Sequence, residues 1–138
     1  MKPLYTAKVT ATGGRDGQAK SSDGNLEVKL ATPEALGGKG GSATNPEQLF
    51  AAGYSGCFLS ALQLAASKHK INFPKDASVE AQVGIGKHEE SFALAVDLYI
   101  RLPGVDAKDA KAIADKAHEL CPYSKATRGN VEVTLHVS

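Results

Sequence analysis

The sequence predicts an α+β fold, in which antiparallel strands from two regions of the chain pack on a long central apolar helix. Apolar side chains alternate with a period of two near the N-terminus, again over residues 79–100, and once more at the C-terminus. Two other stretches, residues 45–70 and 107–120, carry helical signals. With 138 residues, the chain fits one domain covering residues 1–138.

Residues 4–30 predict a small antiparallel meander. The apolar positions of its strands are Tyr5, Ala7, Val9 and Ala11 on one face, and Leu26, Val28 and Leu30 on another. The dipeptides Asp16-Gly17 and Asp23-Gly24 between these runs are typical of hairpin turns. We therefore expect short strands joined by tight turns.

A second pair of strands is predicted over residues 79–100. Its alternating positions are Val79, Ala81, Val83 and Ile85, then Phe92, Leu94, Val96, Leu98 and Ile100. The polar run of residues 87–90 makes the turn between them. A last strand over residues 131–137 has only valine and leucine on one face.

The helix over residues 107–120 has acidic residues at its start, Asp106 and Asp109, which favour a helix N-terminus. Its apolar stripe at helical spacing consists of Ala110, Ile113, Ala117 and Leu120. Pro122 pushes the residue before it, Cys121, out of the helical region. The helix is therefore expected to end there.

The other helix begins at Asn45-Pro46, with Asn as N-cap and Pro at the first helical position, and continues to about residue 70. It is apolar nearly all round, which predicts burial on most sides. A chain of this length rarely encloses such a helix alone, so a second subunit is expected to cover it. The glycine-rich stretch of residues 36–42 before it lacks the order of a phosphate-binding loop.

Composition excludes several classes of function. Sixteen Lys and Arg against fifteen Asp and Glu give a formal charge of +1, which argues against nucleic acid as the main partner. The absence of an obvious 18-residue apolar stretch predicts no membrane span, and the polar N-terminus predicts no secretory signal. We therefore expect a cytoplasmic protein without a membrane partner. Neither the cysteines nor the four histidines have metal-ligand spacing, so no metal is expected.

Cys57 and Cys121 are either inert core thiols or a redox couple. Gly53 and Gly56 precede Cys57, and they either break the helix or allow close packing. A break would place a helix N-terminus near Cys57 and lower its pKa. Cys121 lies at a helix C-terminus, where the dipole does not favour a thiolate. If the pair reacts, Cys57 therefore attacks and Cys121 resolves.

Two long motifs, one around each cysteine, closely resemble those of the organic hydroperoxide resistance proteins, the Ohr branch of the Ohr/OsmC family. They are Asn45-Pro-Glu-Gln-Leu-Phe-Ala-Ala-Gly-Tyr-Ser-Gly-Cys-Phe-Leu-Ser-Ala-Leu62 and Cys121-Pro-Tyr-Ser-Lys-Ala-Thr-Arg-Gly-Asn130. The resemblance covers essentially the whole chain. It implies the Ohr/OsmC fold and an intertwined homodimer with active sites at the interface.

The resemblance also implies a cysteine-based peroxidase that reduces organic hydroperoxides, lipid hydroperoxides among them, to alcohols. Cys57 resembles the peroxidatic cysteine, which forms a sulfenic acid, and Cys121 resembles the resolving cysteine, which closes an intramolecular disulfide. Arg15 resembles the arginine that assists the thiolate, and Glu47 the carboxylate that positions this arginine. The implied reductant is a dithiol on the lipoyl groups of lipoylated proteins, with no bound cofactor.

Geometry constrains this site. Ten residues of unbroken helix would separate Glu47 from Cys57 by about 15 Å along the axis, which is too far for one compact site. Either the helix breaks at residues 53–56, or Arg15 and Glu47 reach Cys57 of the other subunit, and we favour the second. Leu49, Phe50 and Tyr54 could line an apolar substrate pocket, although core packing is the default for such residues.

Three other functions stay open at the level of sequence. An osmotically induced peroxidase of the same family would share the chemistry and differ in regulation. A non-enzymatic carrier of lipids or small molecules would have inert thiols, so Cys57→Ser would leave its function intact. A thiol-based sensor is the third, although no DNA-binding helix or basic patch supports it.

Overall fold

Three short antiparallel strands form the sheet of the first unit, residues 1–49, in the computed structural model, which describes all 138 residues. The strands are β1 (Val9–Thr12), β2 (Gln18–Ser21) and β3 (Glu27–Lys29), in that order across the sheet. The predicted meander is confirmed, with both Asp-Gly dipeptides in its connections. The first strand begins later than predicted, so Tyr5 and Ala7 lie outside the sheet and are exposed.

The second unit, residues 50–138, contains a sheet with the order β4-β5-β6. Its strands are β4 (Ser78–His88), β5 (Ser91–Arg101) and β6 (Glu132–Val137). The predicted hairpin of β4 and β5 is confirmed. Its turn is shorter than predicted because Glu89, with φ of 53°, takes up the left-handed conformation.

The prediction that all strands pair antiparallel is wrong for β6, which lies parallel to β5. Two helices, α2 (Ala107–Leu120) and α3 (Pro122–Thr127), fill the connection between these strands. A parallel pair requires such a crossover, whereas a tight turn would have produced an antiparallel pair. The predicted helix over residues 107–120 is confirmed, and the side chain of Asp106 caps it by accepting from the Asp109 N–H at 2.9 Å.

The predicted end of α2 is also confirmed, since Cys121 has φ of −63° and ψ of 123°. This is the extended conformation that the following proline demands. The chain then re-enters a helix at once, because Pro122 is well suited to a first helical position. The sequence therefore predicted the stop at Cys121 but not the short helix that follows it.

The long apolar helix α1 (Pro46–Lys68) is a single unbroken element. Asn45 caps it, with its side-chain oxygen accepting from the Gln48 N–H at 2.8 Å. The break considered at residues 53–56 does not occur. One stripe of α1 packs with β5 and α2 in the core of the second unit; its buried residues are Tyr54, Phe58, Ala61, Leu62, Ala65 and Ala66.

The opposite face of α1 is exposed in the single chain, so the predicted burial on most sides is not reached there. Ala52, Gly56, Ser60 and Leu64 recur at intervals of four along this face, and Leu64 is 49% exposed. These residues are small except for the last. The face is therefore open to close approach by another chain.

By length and composition, α1 could cross a membrane, which corrects the expectation that the chain has no such stretch. Its buried stripe contacts apolar residues of β5 and α2, among them Leu98 and Ile113. Core helices of soluble proteins meet the same criteria of length and composition. In the single chain, 33% of the apolar stretch of α1 is buried.

Candidate functional site

Cys57 and Cys121 lie close together within the second unit, and both are free thiols. Cys57 lies in the interior of α1 and is half-buried, whereas Cys121 lies between α2 and α3 and is 0% exposed. The Cys121 side chain and the Tyr123 backbone N–H both lie close enough to the Cys57 sulfur to influence its pKa. The more accessible sulfur is therefore the one predicted to attack.

The pKa of Cys57 is raised, mainly by burial. The neighbouring Cys121 raises it further, and the Tyr123 N–H lowers it. The helix N-terminus that would have lowered this pKa is absent, because α1 continues through Gly53 and Gly56. Within residues 50–138, the groups around Cys57 favour the neutral thiol.

Gly53 allows close packing between α1 and Tyr123. A Cβ atom at this position would lie 2.7 Å from the Tyr123 hydroxyl oxygen and 3.1 Å from two of its ring carbons. The Tyr123 ring also packs against Phe50 and Tyr54, with centroids 6.4 and 5.7 Å apart. Gly56 is different, because nothing lies within 4 Å of its would-be Cβ atom. Close packing therefore explains the first glycine only.

A network of polar side chains connects α1, α2 and α3 near the two cysteines. The hydroxyl of Tyr54 is 2.8 Å from that of Ser124 and 3.2 Å from that of Thr127. The Ser124 hydroxyl is also 2.7 Å from Nδ1 of His118. The sequence assigned no role to these residues except Tyr54, because only the tertiary packing of three helices brings them together.

Arg15 and Glu47 form a bidentate ion pair in the first unit. The Arg15 Nη1 and Nη2 atoms donate to the Glu47 carboxylate at 2.9 and 2.5 Å. These hydrogen bonds are the main cause of a lowered pKa of Glu47 and a raised pKa of Arg15. The expected pairing of the two side chains is therefore present, and the geometry is one that lysine could not reproduce.

The side chain of Asp16 fixes the turn that carries Arg15. Residues Gly14–Asp16 form a single 3-10 turn between β1 and β2. The Asp16 carboxylate accepts from both the N–H and the hydroxyl of Thr32, each at 3.0 Å. Glu47 lies in the first turn of α1, where the helix dipole also favours a carboxylate.

The three residues suggested for a substrate pocket differ in exposure. Leu49 and Phe50 are half-buried, and Tyr54 is 0% exposed, with its ring 6.2 Å from that of Phe50 in an edge-on arrangement. Their role in binding substrate stays a prediction. No group of three or more His, Cys, Asp or Glu side chains is arranged to hold a metal ion.

Comparison with known proteins agrees with the two cysteine motifs. A family model described as "OsmC-like protein" matches residues 38–136. The organic hydroperoxide resistance protein of Xanthomonas axonopodis pv. citri is 53% identical over 134 residues, which cover 97% of this chain and 94% of the relative. OhrA of Bacillus subtilis is 44% identical over 138 residues, covering 99% of this chain and 98% of the relative.

A solved structure extends the similarity to the fold. The crystal structure of an organic hydroperoxide resistance protein from Elizabethkingia anophelis is 51% identical and superposes with a TM-score of 0.93. The match covers 100% of this chain and 99% of the other. The chain therefore belongs to the Ohr/OsmC family, in its organic hydroperoxide resistance branch.

Proposed function

We propose that this protein is a cysteine-based peroxidase that reduces organic hydroperoxides to alcohols, with Cys57 as the attacking thiol and Cys121 as the resolving thiol. The observation that carries the proposal is the placement of a partly accessible thiol beside a buried one. Full-length relatives named for organic hydroperoxide resistance support the substrate class. A role in detoxifying peroxides follows from this membership.

In the first step, the Cys57 thiolate attacks one oxygen of the peroxide. A sulfur–oxygen bond forms while the oxygen–oxygen bond breaks, which oxidises Cys57 to a sulfenic acid. The leaving alkoxide takes up a proton and departs as the alcohol. The Tyr123 N–H near the Cys57 sulfur lowers its pKa and so favours the thiolate that this step requires.

In the second step, Cys121 attacks the oxidised Cys57 sulfur. The sulfur–sulfur bond forms, the sulfur–oxygen bond breaks, and the hydroxyl leaves with the thiol proton as water. Because Cys121 is 0% exposed, it meets few competing oxidants before this step. The disulfide also protects Cys57 from further oxidation.

Activation of Cys57 needs a cation, because its surroundings within the second unit raise its pKa. We assign this role to Arg15, whose guanidinium Glu47 holds in a fixed orientation. A guanidinium near the sulfur would stabilise the thiolate and donate to the peroxide as charge develops. We further propose that the protein acts as an intertwined homodimer in which Arg15 and Glu47 serve Cys57 of the second copy.

The rest of the cycle follows the same proposal. Leu49, Phe50 and Tyr54 would contact the apolar part of the peroxide, and lipid hydroperoxides are the expected substrates. An external dithiol of the lipoyl type, carried by lipoylated proteins, would restore both thiols by disulfide exchange, and no bound cofactor is required. We place the protein in the cytoplasm, where such dithiols are kept reduced.

The test is the intact mass of the reduced protein after one equivalent of a fatty-acid hydroperoxide. We expect a loss of about two mass units in the wild type, since two thiols become a disulfide. Cys121→Ser should gain about sixteen, from a sulfenic acid, and Cys57→Ser should not change. Wild-type protein that stays unmodified while the peroxide persists would contradict the proposal and favour the carrier.

A further inference from the structure

We infer that the hydrogen-bond network of buried Tyr54, Ser124 and Thr127 with half-buried His118 positions Cys121 for its attack on oxidised Cys57. His118, Ser124 and Thr127 act as positioning residues, since they act on Cys121 through α3; Tyr54, whose ring is proposed to contact the peroxide, adds its hydroxyl group to the same network. The inference rests on the proposed function, since it concerns the second step of the same cycle.

The network connects the segments that carry the two cysteines. Tyr54 lies one turn before Cys57 on α1, and Ser124 lies one turn after Cys121 at the start of α3. Their hydroxyl groups are 2.8 Å apart. A displacement of α3 relative to α1 would therefore break this contact and shift Cys121 at the same time.

The other two members fix α3 from its remaining sides. His118, in the last turn of α2, places Nδ1 2.7 Å from the Ser124 hydroxyl. Thr127 donates to the Ser124 carbonyl at 3.2 Å and lies 3.2 Å from the Tyr54 hydroxyl. Arg128 then donates to the His118 carbonyl and ties the end of α3 to α2.

Because three members of the network are buried, their polar groups must find hydrogen-bond partners within the protein, and this favours one arrangement of the helices. Tyr54 and Ser124 are 0% exposed and Thr127 is 4% exposed, so water cannot replace a lost partner. Every buried side-chain nitrogen or oxygen in the structure has a hydrogen-bond partner. Apolar side chains in the same place would tolerate small rotations of α3, whereas these directional bonds do not.

Each hydroxyl proton of the network has an acceptor. If His118 accepts at Nδ1, Ser124 donates to it and Tyr54 donates to Ser124; the single Thr127 proton is then shared between the Tyr54 hydroxyl oxygen and the Ser124 carbonyl, each at 3.2 Å. Burial and the nearby Arg128 lower the pKa of His118, so the ring stays neutral and can accept. The Phe58 ring, with its centroid 6.4 Å from that of His118, covers it on the side of α1.

The two chemical steps should depend differently on this network. The first step involves Cys57 and the peroxide, and it does not require Cys121 to be in place. The second requires two sulfur atoms in a defined alignment, and small misplacements of reacting groups slow such reactions by large factors. Loss of the network should therefore slow disulfide closure far more than formation of the sulfenic acid, which would lose at most the contribution of the Tyr123 N–H.

The experiment compares the rates of these steps in Ser124→Ala and Thr127→Val, which remove hydroxyl groups with little change in shape. Ser91→Ala and Thr134→Val are the matched controls, because they remove exposed hydroxyl groups on strands. Reduced protein is mixed with tert-butyl hydroperoxide and quenched at intervals with dimedone, which captures the sulfenic acid. Intact mass then reports the captured acid and the disulfide separately.

We expect disulfide closure to slow by about tenfold or more in Ser124→Ala and Thr127→Val, with dimedone adduct accumulating. His118→Asn, which keeps a polar atom near the position of Nδ1, should close faster than His118→Leu. Folding of each variant is checked by circular dichroism. Folded variants that close the disulfide at the wild-type rate, or that slow both steps equally, would overturn the inference.

A second oxidant separates this inference from the proposed function. Dithiobis(nitrobenzoate) transfers one thionitrobenzoate to the more accessible Cys57 and releases one coloured anion; attack by Cys121 then releases a second anion and leaves the disulfide. If peroxide fails to oxidise Cys57 in the wild type, the proposed function fails, yet this second release still measures closure by Cys121. An unchanged second release in Ser124→Ala and Thr127→Val would then reject the positioning role by itself.

Discussion

At the scale of single residues, opposing influences act on the thiol of Cys57. Burial and the adjacent Cys121 raise its pKa, and one backbone N–H lowers it. A second pair of residues, Arg15 and Glu47, holds a cation in a fixed orientation through two hydrogen bonds. The proposed peroxidase needs this cation, because a neutral thiol is a poor nucleophile.

The dependence on Arg15 can be measured directly. Arg15→Gln should raise the pKa of Cys57 and slow its alkylation by iodoacetamide several-fold at neutral pH, because the thiolate loses its counter-charge. The rate is followed against pH in a Cys121→Ser background, so that only one thiol reacts. Lys39→Gln, in the glycine-rich loop, is the control for loss of one positive charge. An alkylation profile identical to that of the parent would remove Arg15 from the mechanism.

Glu47 makes stability depend on pH. Its pKa is lowered from an ordinary value of 4.5, chiefly by the hydrogen bonds from Arg15. The pair therefore contributes its full stability above pH 4.5, and this contribution is lost as the pH falls through the lowered pKa. Urea unfolding of Glu47→Gln against pH should lack this acid-dependent loss, and Glu90→Gln, in an exposed turn, should retain it. Parallel curves for Glu47→Gln and the wild type would count against the assignment.

At the scale of elements, local chemistry predicted where helices begin and end. Asn45 and Asp106 carry capping side chains, and Pro122 forces Cys121 to be extended; each signal acts within a few residues. The continuity of α1 through its glycines was left open, because local sequence does not decide between a break and close packing. Two features were missed, the short helix α3 and the parallel pairing of β6, and the second depends on partners distant in the sequence.

Close packing against the Tyr123 side chain explains why α1 has a glycine at position 53. Gly53→Ala should destabilise the protein by up to about 2 kcal/mol: the added methyl group would overlap the Tyr123 side chain, which must move, and the better helix propensity of alanine offsets about 1 kcal/mol of that cost. Gly86→Ala, on β4, is the control, because nothing lies within 4 Å of its would-be Cβ atom, and it should not destabilise the protein. Urea unfolding measures both. Equal effects of the two substitutions would show that Tyr123 does not constrain this position.

At the scale of the whole molecule, the sequence predicted the two pairs of site residues by resemblance, and each pair is formed. Arg15 contacts Glu47 within residues 1–49, and Cys57 neighbours Cys121 within residues 50–138. The network around Ser124 could not be predicted in this way: Tyr54, Ser124 and Thr127 lie within the two cysteine motifs, but only the packing of the helices brings their hydroxyl groups together. The homodimer stays a prediction, supported by the exposed small-residue face of α1.

The face of α1 that carries Leu64 provides a test of the homodimer. Leu64→Glu should shift the protein towards monomer, since it places a charge on an apolar surface that a second copy would cover. Phe92→Glu is the control, because Phe92 is 55% exposed but lies on β5. Size-exclusion chromatography with light scattering at several concentrations gives the mass. A wild-type mass equal to one chain would contradict the dimer outright.

The positions of Cys57, on α1, and Cys121, between α2 and α3, have a further consequence for the oxidised protein. A disulfide between them would close a covalent ring that contains β4, β5 and α2. Such a ring restricts the unfolded chain and stabilises the fold by about 4 kcal/mol in the chain-entropy account. The oxidised protein would therefore resist unfolding and proteolysis more strongly than the reduced protein. Its lifetime would rise with the load of oxidant.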